Sequence, residues 1–170
     1  SYARNNPIIG SDPSGLIPTK GEAALMASQI YQSGKEGENL SGGWKYNNSY
    51  SGGDNMKMGI YSRMKEDANL EYALVGRGTS GFSDWKNNLL QPFNRSSDMK
   101  SSLFYASQFV SDHPQSEVTF VGHSKSGAEA MANAISTNKN AIIFNPASLN
   151  ASYKSGISKY TAQVNEYIVR

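Results

Sequence analysis

The 170-residue sequence contains no cysteine and only two histidines, His113 and His123. It therefore forms no disulfide bond and no cysteine-ligated zinc site, and two imidazoles are too few for a multi-histidine metal centre. No apolar run is long enough to cross a bilayer, and residues 1–20 contain no basic leader followed by an apolar core. From these absences we expect no metal ion, no cofactor, no transmembrane segment and no signal peptide.

Charge of either sign is also sparse. The 16 Lys and Arg residues and 14 Asp and Glu residues leave a formal net charge of +2, without any long basic run. Nucleic-acid-binding proteins usually carry a concentrated basic surface, so we do not expect a nucleic-acid partner. A hydrophobic fraction of 38% is typical of a globular chain, and the length suits one domain with or without an appendage.

Helix-like and strand-like segments alternate along the second half of the chain. Thr19 and Glu22 have the spacing of a capping box, which predicts a helix over residues 20–33. The six glycines within residues 34–56 predict a long irregular loop. We predict further helices over 96–112 and 124–136, a short helix in SDWKNNLL, a hairpin of MKMGIYSRM and LEYALVGRG, and buried strands in EVTFVG, AIIFN and AQVNEYIV. This alternation predicts an α/β fold whose sheet is mainly parallel and covered by helices on both faces.

The segment EVTFVGHSKSG, residues 117–127, has the pattern of a nucleophile elbow. Such an elbow consists of a strand, a tight turn and a helix, and it presents a serine oxygen at the carboxyl edge of the sheet. Ser124 is the predicted nucleophile, and the backbone N–H of Lys125 is the predicted donor to the oxyanion. Ser126 replaces the last glycine of G-x-S-x-G. The alternative is that Gly-x-Ser only turns the chain.

Neither histidine has the position expected of a catalytic base. His123 is adjacent to Ser124, and a sharp turn aims neighbouring side chains apart, so we expect His123 to pack or hydrogen-bond beside the elbow. His113 precedes the elbow strand, whose length of about six residues at ~3.3 Å each separates it from Ser124 by roughly 20 Å. We expect His113 to interact with the C-terminal end of a helix.

A second segment, VGRGTSGFSDW, ends an upstream strand at the same edge of the sheet. The second oxyanion donor of an elbow enzyme comes from the loop after such a strand. Thr79 is well placed in the sequence because both its N–H and its hydroxyl could donate. The alternative is a glycine-rich turn whose Thr or Ser caps the short helix that follows.

Together these segments resemble the class 3 (fungal-type) lipases of the α/β-hydrolase fold, in which an R-G-[ST] turn and an Asp/Asn-Trp helix precede G-H-S-x-G. AIIFNPASLN is similar to the strand after the elbow helix, so the resemblance covers about residues 57–170. It implies that Thr79 supplies the oxyanion-hole side chain and that Ser124 is the nucleophile. It also implies that Arg77, Asp84 and Trp85 are mainly structural.

The resemblance further implies an acid and a histidine after the elbow. The triad of α/β-hydrolases runs Ser, acid, His along the chain. No Asp or His follows Ser124, however, and the only acids there are Glu129 and Glu166. In the family the acid follows the strand that VNEYIVR resembles. We therefore expect both groups to lie beyond Arg170, the fold to be truncated at its C-terminal end, and this polypeptide alone to be inactive or a weak catalyst.

Residues 1–16 contain YARNNPIIGSDPSGL, which resembles the end of the RHS-repeat core. In that family D-P-x-G-L closes a β-cocoon and is followed by a variable C-terminal toxin. The resemblance implies a core junction at residues 1–16 and a lipase-like toxin domain at residues 17–170, delivered into a target cell by a bacterial secretion system. It also implies two partners, the RHS carrier core and a cognate immunity protein. The alternative is a Pro/Gly-rich linker.

These observations favour a secreted bacterial toxin that hydrolyses carboxylic esters of membrane lipids or phospholipids, with transient contact to the membrane surface. One alternative is a catalytically incomplete α/β-hydrolase fold that acts as a binding module. Another is an acyltransferase or a peptidase on the same scaffold.

Overall fold

The computed structural model describes residues 18–31, 38–52, 56–66, 68–77, 96–144 and 159–168. The helices are α1 (Lys20–Gln29), α2 (Ser96–Asp112) and α3 (Lys125–Thr137), with a short 3-10 helix at Ser41–Gly43. The strands are β1 (Lys45–Gly52), β2 (Met56–Met64), β3 (Leu70–Arg77), β4 (Glu117–His123), β5 (Asn140–Phe144) and β6 (Val164–Tyr167). Among these residues, no helix combines the length and the apolarity that crossing a lipid bilayer requires.

The six strands form one sheet whose spatial order follows the sequence, from β1 at one edge to β6 at the other. β1, β2 and β3 pair antiparallel, whereas β3, β4, β5 and β6 pair parallel. α1 packs on one face of the sheet, and α2 and α3 pack on the other. The predicted mainly parallel sheet with helices on both faces is therefore confirmed.

The central strand β4 is buried on both faces. Phe120 belongs to the core beneath α2 and α3, while its neighbour Val121 belongs to the core beneath α1. Each fully buried side chain of this size stabilises the fold by roughly 1.5–3 kcal/mol. A strand buried on both faces gives a continuous apolar run, which is why EVTFVG was recognisable in the sequence.

A network of charged and aromatic side chains attaches α1 to the sheet. Thr19 Oγ1 accepts from the Glu22 amide at 3.2 Å, and Glu22 Oε1 accepts from the Thr19 amide at 3.0 Å, so the predicted capping box is confirmed. Arg63 on β2 contacts Glu22 at 3.1 Å and the fully buried Glu71 at 3.0 Å. The Arg63 guanidinium also lies 4.4 Å from the centre of the Trp44 ring.

Three predictions require correction. The strand in AQVNEYIV was expected to be buried, but β6 lies at the edge of the sheet and its residues are half-buried or exposed. Residues 34–56 were expected to form an irregular loop, but β1 occupies Lys45–Gly52 within them. The Asn, Ser and Gly residues of β1 have weak strand propensity, and its structure comes instead from antiparallel pairing with β2. The helix expected over residues 20–33 ends at Gln29, with Ile30 as its C-cap. The SDWKNNLL helix lies outside the described residues.

Candidate active site

The turn between β4 and α3 consists of a single residue, Ser124. β4 ends at His123 and α3 begins at Lys125. Ser124 has φ 53° and ψ −121°, a combination that residues with a Cβ atom rarely adopt. Strain of this kind costs on the order of 1–3 kcal/mol and is found mainly at functional sites. The predicted strand, tight turn and helix of the elbow are all present.

The elbow is compact because two glycines lie against it. A methyl group at Gly122 would come within 2.3 Å of the Ser126 carbonyl oxygen, and one at Gly76 within 2.8 Å of the Ser126 Cβ. Both distances are shorter than real Cβ contacts, so any larger residue at either position would displace its neighbour. Gly122 was predicted as the first small position of the elbow, whereas the role of Gly76 on β3 was not recognised in the sequence.

Ser124 itself is largely enclosed, with 6% of its surface exposed. Its amide donates to the Phe144 carbonyl at 2.9 Å, and its carbonyl accepts from the Ala128 amide at 3.2 Å. Within the described part of the chain, its Oγ has no hydrogen-bond partner. Lys125 is the first residue of α3, so its amide lies at the positive end of the helix dipole.

His123 points to the α1 face of the sheet. Its ring is 2% exposed, and its Nδ1 lies 3.2 Å from the hydroxyl of Tyr31, whose ring it meets edge-on. Burial lowers the pKa of His123 to about 4, so the imidazole is neutral at neutral pH. The expectation that His123 packs and hydrogen-bonds beside the elbow is confirmed.

His113 lies at the opposite end of β4, immediately after α2. Its ring stacks on Phe109 with 4.0 Å between ring centres, and its Nδ1 lies 2.8 Å from the Phe109 carbonyl oxygen in the last turn of α2. The expected interaction with the C-terminal end of a helix is therefore confirmed.

The second expected oxyanion segment is described only up to Arg77, the last residue of β3. Because β3 and β4 are parallel, Arg77 and Ser124 lie at the same edge of the sheet. The Arg77 guanidinium lies 5.7 Å from the centre of the Tyr31 ring. Thr79 lies outside the described residues, as do Asp84, Trp85 and the junction residues 1–16.

A buried polar set lies between α2 and α3, behind the elbow. It consists of Asp98 and Ser102 on α2 and Glu129 and Asn133 on α3, and each is no more than 6% exposed. Asn133 Nδ2 donates to Ser102 Oγ at 2.8 Å. Burial, and secondarily the Asp98 charge, raise the pKa of Glu129 to about 8. Glu129 and Asn133 are one helical turn apart, which was the available sequence signal for this set.

Within the described ranges, no three His, Cys, Asp or Glu side chains come together as a metal-binding group.

Comparison with known proteins identifies the family. A model of the phospholipase-like family, described as the Tle-like phospholipase domain, matches residues 22–169. The chain belongs to this family.

One solved structure is similar over most of the chain. A triacylglycerol lipase from Penicillium expansum superimposes with a TM-score of 0.55 at 14% identity, covering 86% of this chain. At this identity the similarity shows the fold, which is therefore α/β-hydrolase-like, as predicted. The chain spans 66% of the length of that lipase. No curated protein matches the chain.

Proposed function

We propose that this domain hydrolyses carboxylic esters of membrane phospholipids with Ser124 as the nucleophile. The observation that carries the proposal is the backbone of Ser124, held at φ 53° and ψ −121° between a buried parallel strand and a helix. Strain of this kind at a polar residue is expected where the turn has to present an attacking oxygen at the edge of the sheet. Membership of the Tle-like phospholipase family supports the lipid substrate.

In the proposed reaction, Ser124 Oγ attacks the ester carbonyl carbon and its proton moves to a base. The resulting oxyanion accepts hydrogen bonds from the Lys125 amide and from the amide and hydroxyl of Thr79. The C–O bond to the lipid alcohol then breaks, and the alcohol takes the proton. Water hydrolyses the acyl-serine ester and releases the fatty acid.

The base and its acid are proposed to come from outside the 170 residues. His123 is buried against Tyr31, and His113 lies at the far end of β4. No Asp or His follows Ser124 in the sequence. A serine without a base is a weak nucleophile, so we expect the isolated chain to be much less active than the complete protein that contains it.

We also propose that the domain is a toxin delivered by a bacterial secretion system, with an RHS core as carrier and an immunity protein as inhibitor. This part is supported by the resemblance of residues 1–16 to the end of an RHS core.

The test is fatty-acid release from phospholipid vesicles by the complete protein, measured by mass spectrometry. Ser124→Ala should lower the rate by at least about 10³-fold, since the nucleophile is lost. Ser136→Ala is the matched control because Ser136 lies near the far end of α3, where its hydroxyl donates to the Asn133 carbonyl at 3.1 Å. Equal rates of fatty-acid release for wild type and Ser124→Ala would refute the proposal, and equal toxicity of the two proteins would favour a binding module. Acyl release from the phospholipid only when an acceptor alcohol is present would favour an acyltransferase.

A further inference from the structure

Within the described residues, the pairing of β3 with β4 ends before the last residue of β4. The last paired residues are Val75 and Val121, whereas β4 continues to His123. Successive residues of a strand turn their backbone groups to alternate sides. Because the Ser124 amide donates to Phe144 of β5, both backbone groups of His123 face the β3 side. There they lie past the last pair of the β3–β4 ladder.

The hydroxyl of Ser126 occupies this position. Its Oγ accepts from the His123 amide at 3.0 Å and donates to the His123 carbonyl at 2.8 Å. One side chain thus bonds both the amide and the carbonyl of His123. Ser126 is fully buried, so water does not replace these bonds when they are lost.

Ser126 also lies directly beside β3. A methyl group on Gly76 would come within 2.8 Å of the Ser126 Cβ, so the serine fills the space left by the missing side chain. Gly122 is equally close to the Ser126 carbonyl oxygen. The serine is therefore wedged between the end of β3 and the end of β4, the two strands whose ends lead to residues 79 and 124.

We propose that Ser126 is a positioning residue for the hydrolysis. Its side chain holds the His123 peptide in place and sets the separation between the ends of β3 and β4. This inference rests on the proposed function, because the atom it positions is the Ser124 nucleophile. The glycine usual at this position of G-x-S-x-G has no hydroxyl to make these bonds. In this chain, the Ser126 hydroxyl holds the His123 peptide in place through these two hydrogen bonds.

Removing the hydroxyl deletes both of its bonds to the buried His123 peptide, and the turn that holds Ser124 can then shift. A displacement of about 1 Å at a reacting group can cost on the order of 100-fold in rate. We therefore expect Ser126→Ala to lower kcat by roughly 10- to 100-fold while KM stays within about threefold, because substrate binding surfaces are unchanged.

The test compares wild type, Ser126→Ala, Ser126→Gly and the control Ser136→Ala in the complete protein. Steady-state rates on phospholipid vesicles give kcat and KM, and hydrogen exchange measured by mass spectrometry reports on the peptide spanning residues 120–128. Both Ser126 variants should show the lower kcat and faster exchange in that peptide, while Ser136→Ala should show neither. If Ser126→Ala does not fold, Ser126→Gly decides, because glycine also lacks the hydroxyl and is the residue usual at this position of the elbow.

Wild-type kcat and unchanged exchange in either folded Ser126 variant would overturn the inference, and so would a loss expressed only in KM. The two proposals fail separately. If wild type shows no Ser124-dependent hydrolysis, the proposed function fails. The role of Ser126 is then still tested by hydrogen exchange, because unchanged exchange at residues 120–128 in the Ser126 variants would show that Ser126 does not hold the elbow in place.

Discussion

Glu129 should make the domain less stable as the pH rises, and Glu129→Gln should remove that effect. The carboxyl is 6% exposed, and burial with the nearby Asp98 raises its pKa from 4.5 to about 8. Between these values the unfolded chain ionises Glu129 while the folded chain keeps it protonated. Stability from this group is therefore fully present below pH 4.5 and is lost progressively as the pH rises towards 8.

The magnitude follows from the width of this window. Each pH unit inside it lowers the free energy of unfolding by about 1.4 kcal/mol, so raising the pH from 5 to 7.5 costs about 3 kcal/mol. For a domain of this size, 1 kcal/mol corresponds to about 2–4 °C in Tm, which predicts a loss of roughly 6–12 °C from Glu129. The amide side chain of the Glu129→Gln variant cannot ionise, so that protein lacks this contribution.

The assay is thermal unfolding of wild type and Glu129→Gln at several pH values between 5 and 8. The difference between their Tm values isolates Glu129, because His123 and the other titrating groups are common to both proteins. Glu166→Gln, which changes an exposed glutamate on β6, is the matched control and should follow the wild-type curve. If wild type and Glu129→Gln run parallel across this pH range, then the buried carboxyl is already ionised or not buried, and the reasoning is refuted.

Three further predictions concern the fold around the elbow. Ser124→Gly should raise the free energy of unfolding by about 1–3 kcal/mol, because glycine tolerates φ 53°. Urea titration measures this change, and a free energy of unfolding below that of wild type would show that the turn is unstrained. Gly122→Ala should lower the free energy of unfolding by about 3 kcal/mol or more, because the new methyl group would clash with backbone atoms of Ser126. A loss below about 0.5 kcal/mol would contradict the close packing of Gly122 on Ser126. Arg63→Met should lower the free energy of unfolding by about 3–5 kcal/mol, because it removes the ion-pair partner of the buried Glu71. The double variant Arg63→Met/Glu71→Gln should lose less, and equal losses would contradict the ion pair.

The elbow was predictable because its signals are local. Residues 118–122 are mainly apolar and have the length of a strand, and the segment that follows has helical periodicity. Such patterns act within a few neighbours in the chain, so one sequence is enough to read them. The same applies to the capping box of Thr19 and Glu22 and to the helix ended before Pro114.

The remaining features depend on contacts between distant segments. β1 is rich in Asn, Ser and Gly, and it becomes a strand only because β2 lies beside it. The contact of Tyr31 with His123 spans 92 residues, and the packing of Gly76 on Ser126 joins β3 to α3. No periodicity in the sequence indicates which side chains such contacts bring together. The oxyanion role of Thr79 rests on sequence resemblance and remains a prediction.

The most direct test of the central claim is to identify the residue that forms the covalent intermediate. The complete protein is treated with a p-nitrophenyl alkylphosphonate, which mimics the tetrahedral intermediate, and its peptides are mapped by mass spectrometry. The account predicts one phosphonate adduct on Ser124, absent from Ser124→Ala and present in Ser136→Ala. An adduct on a different residue, or fatty-acid release by a protein that acquires no adduct at Ser124, would contradict it.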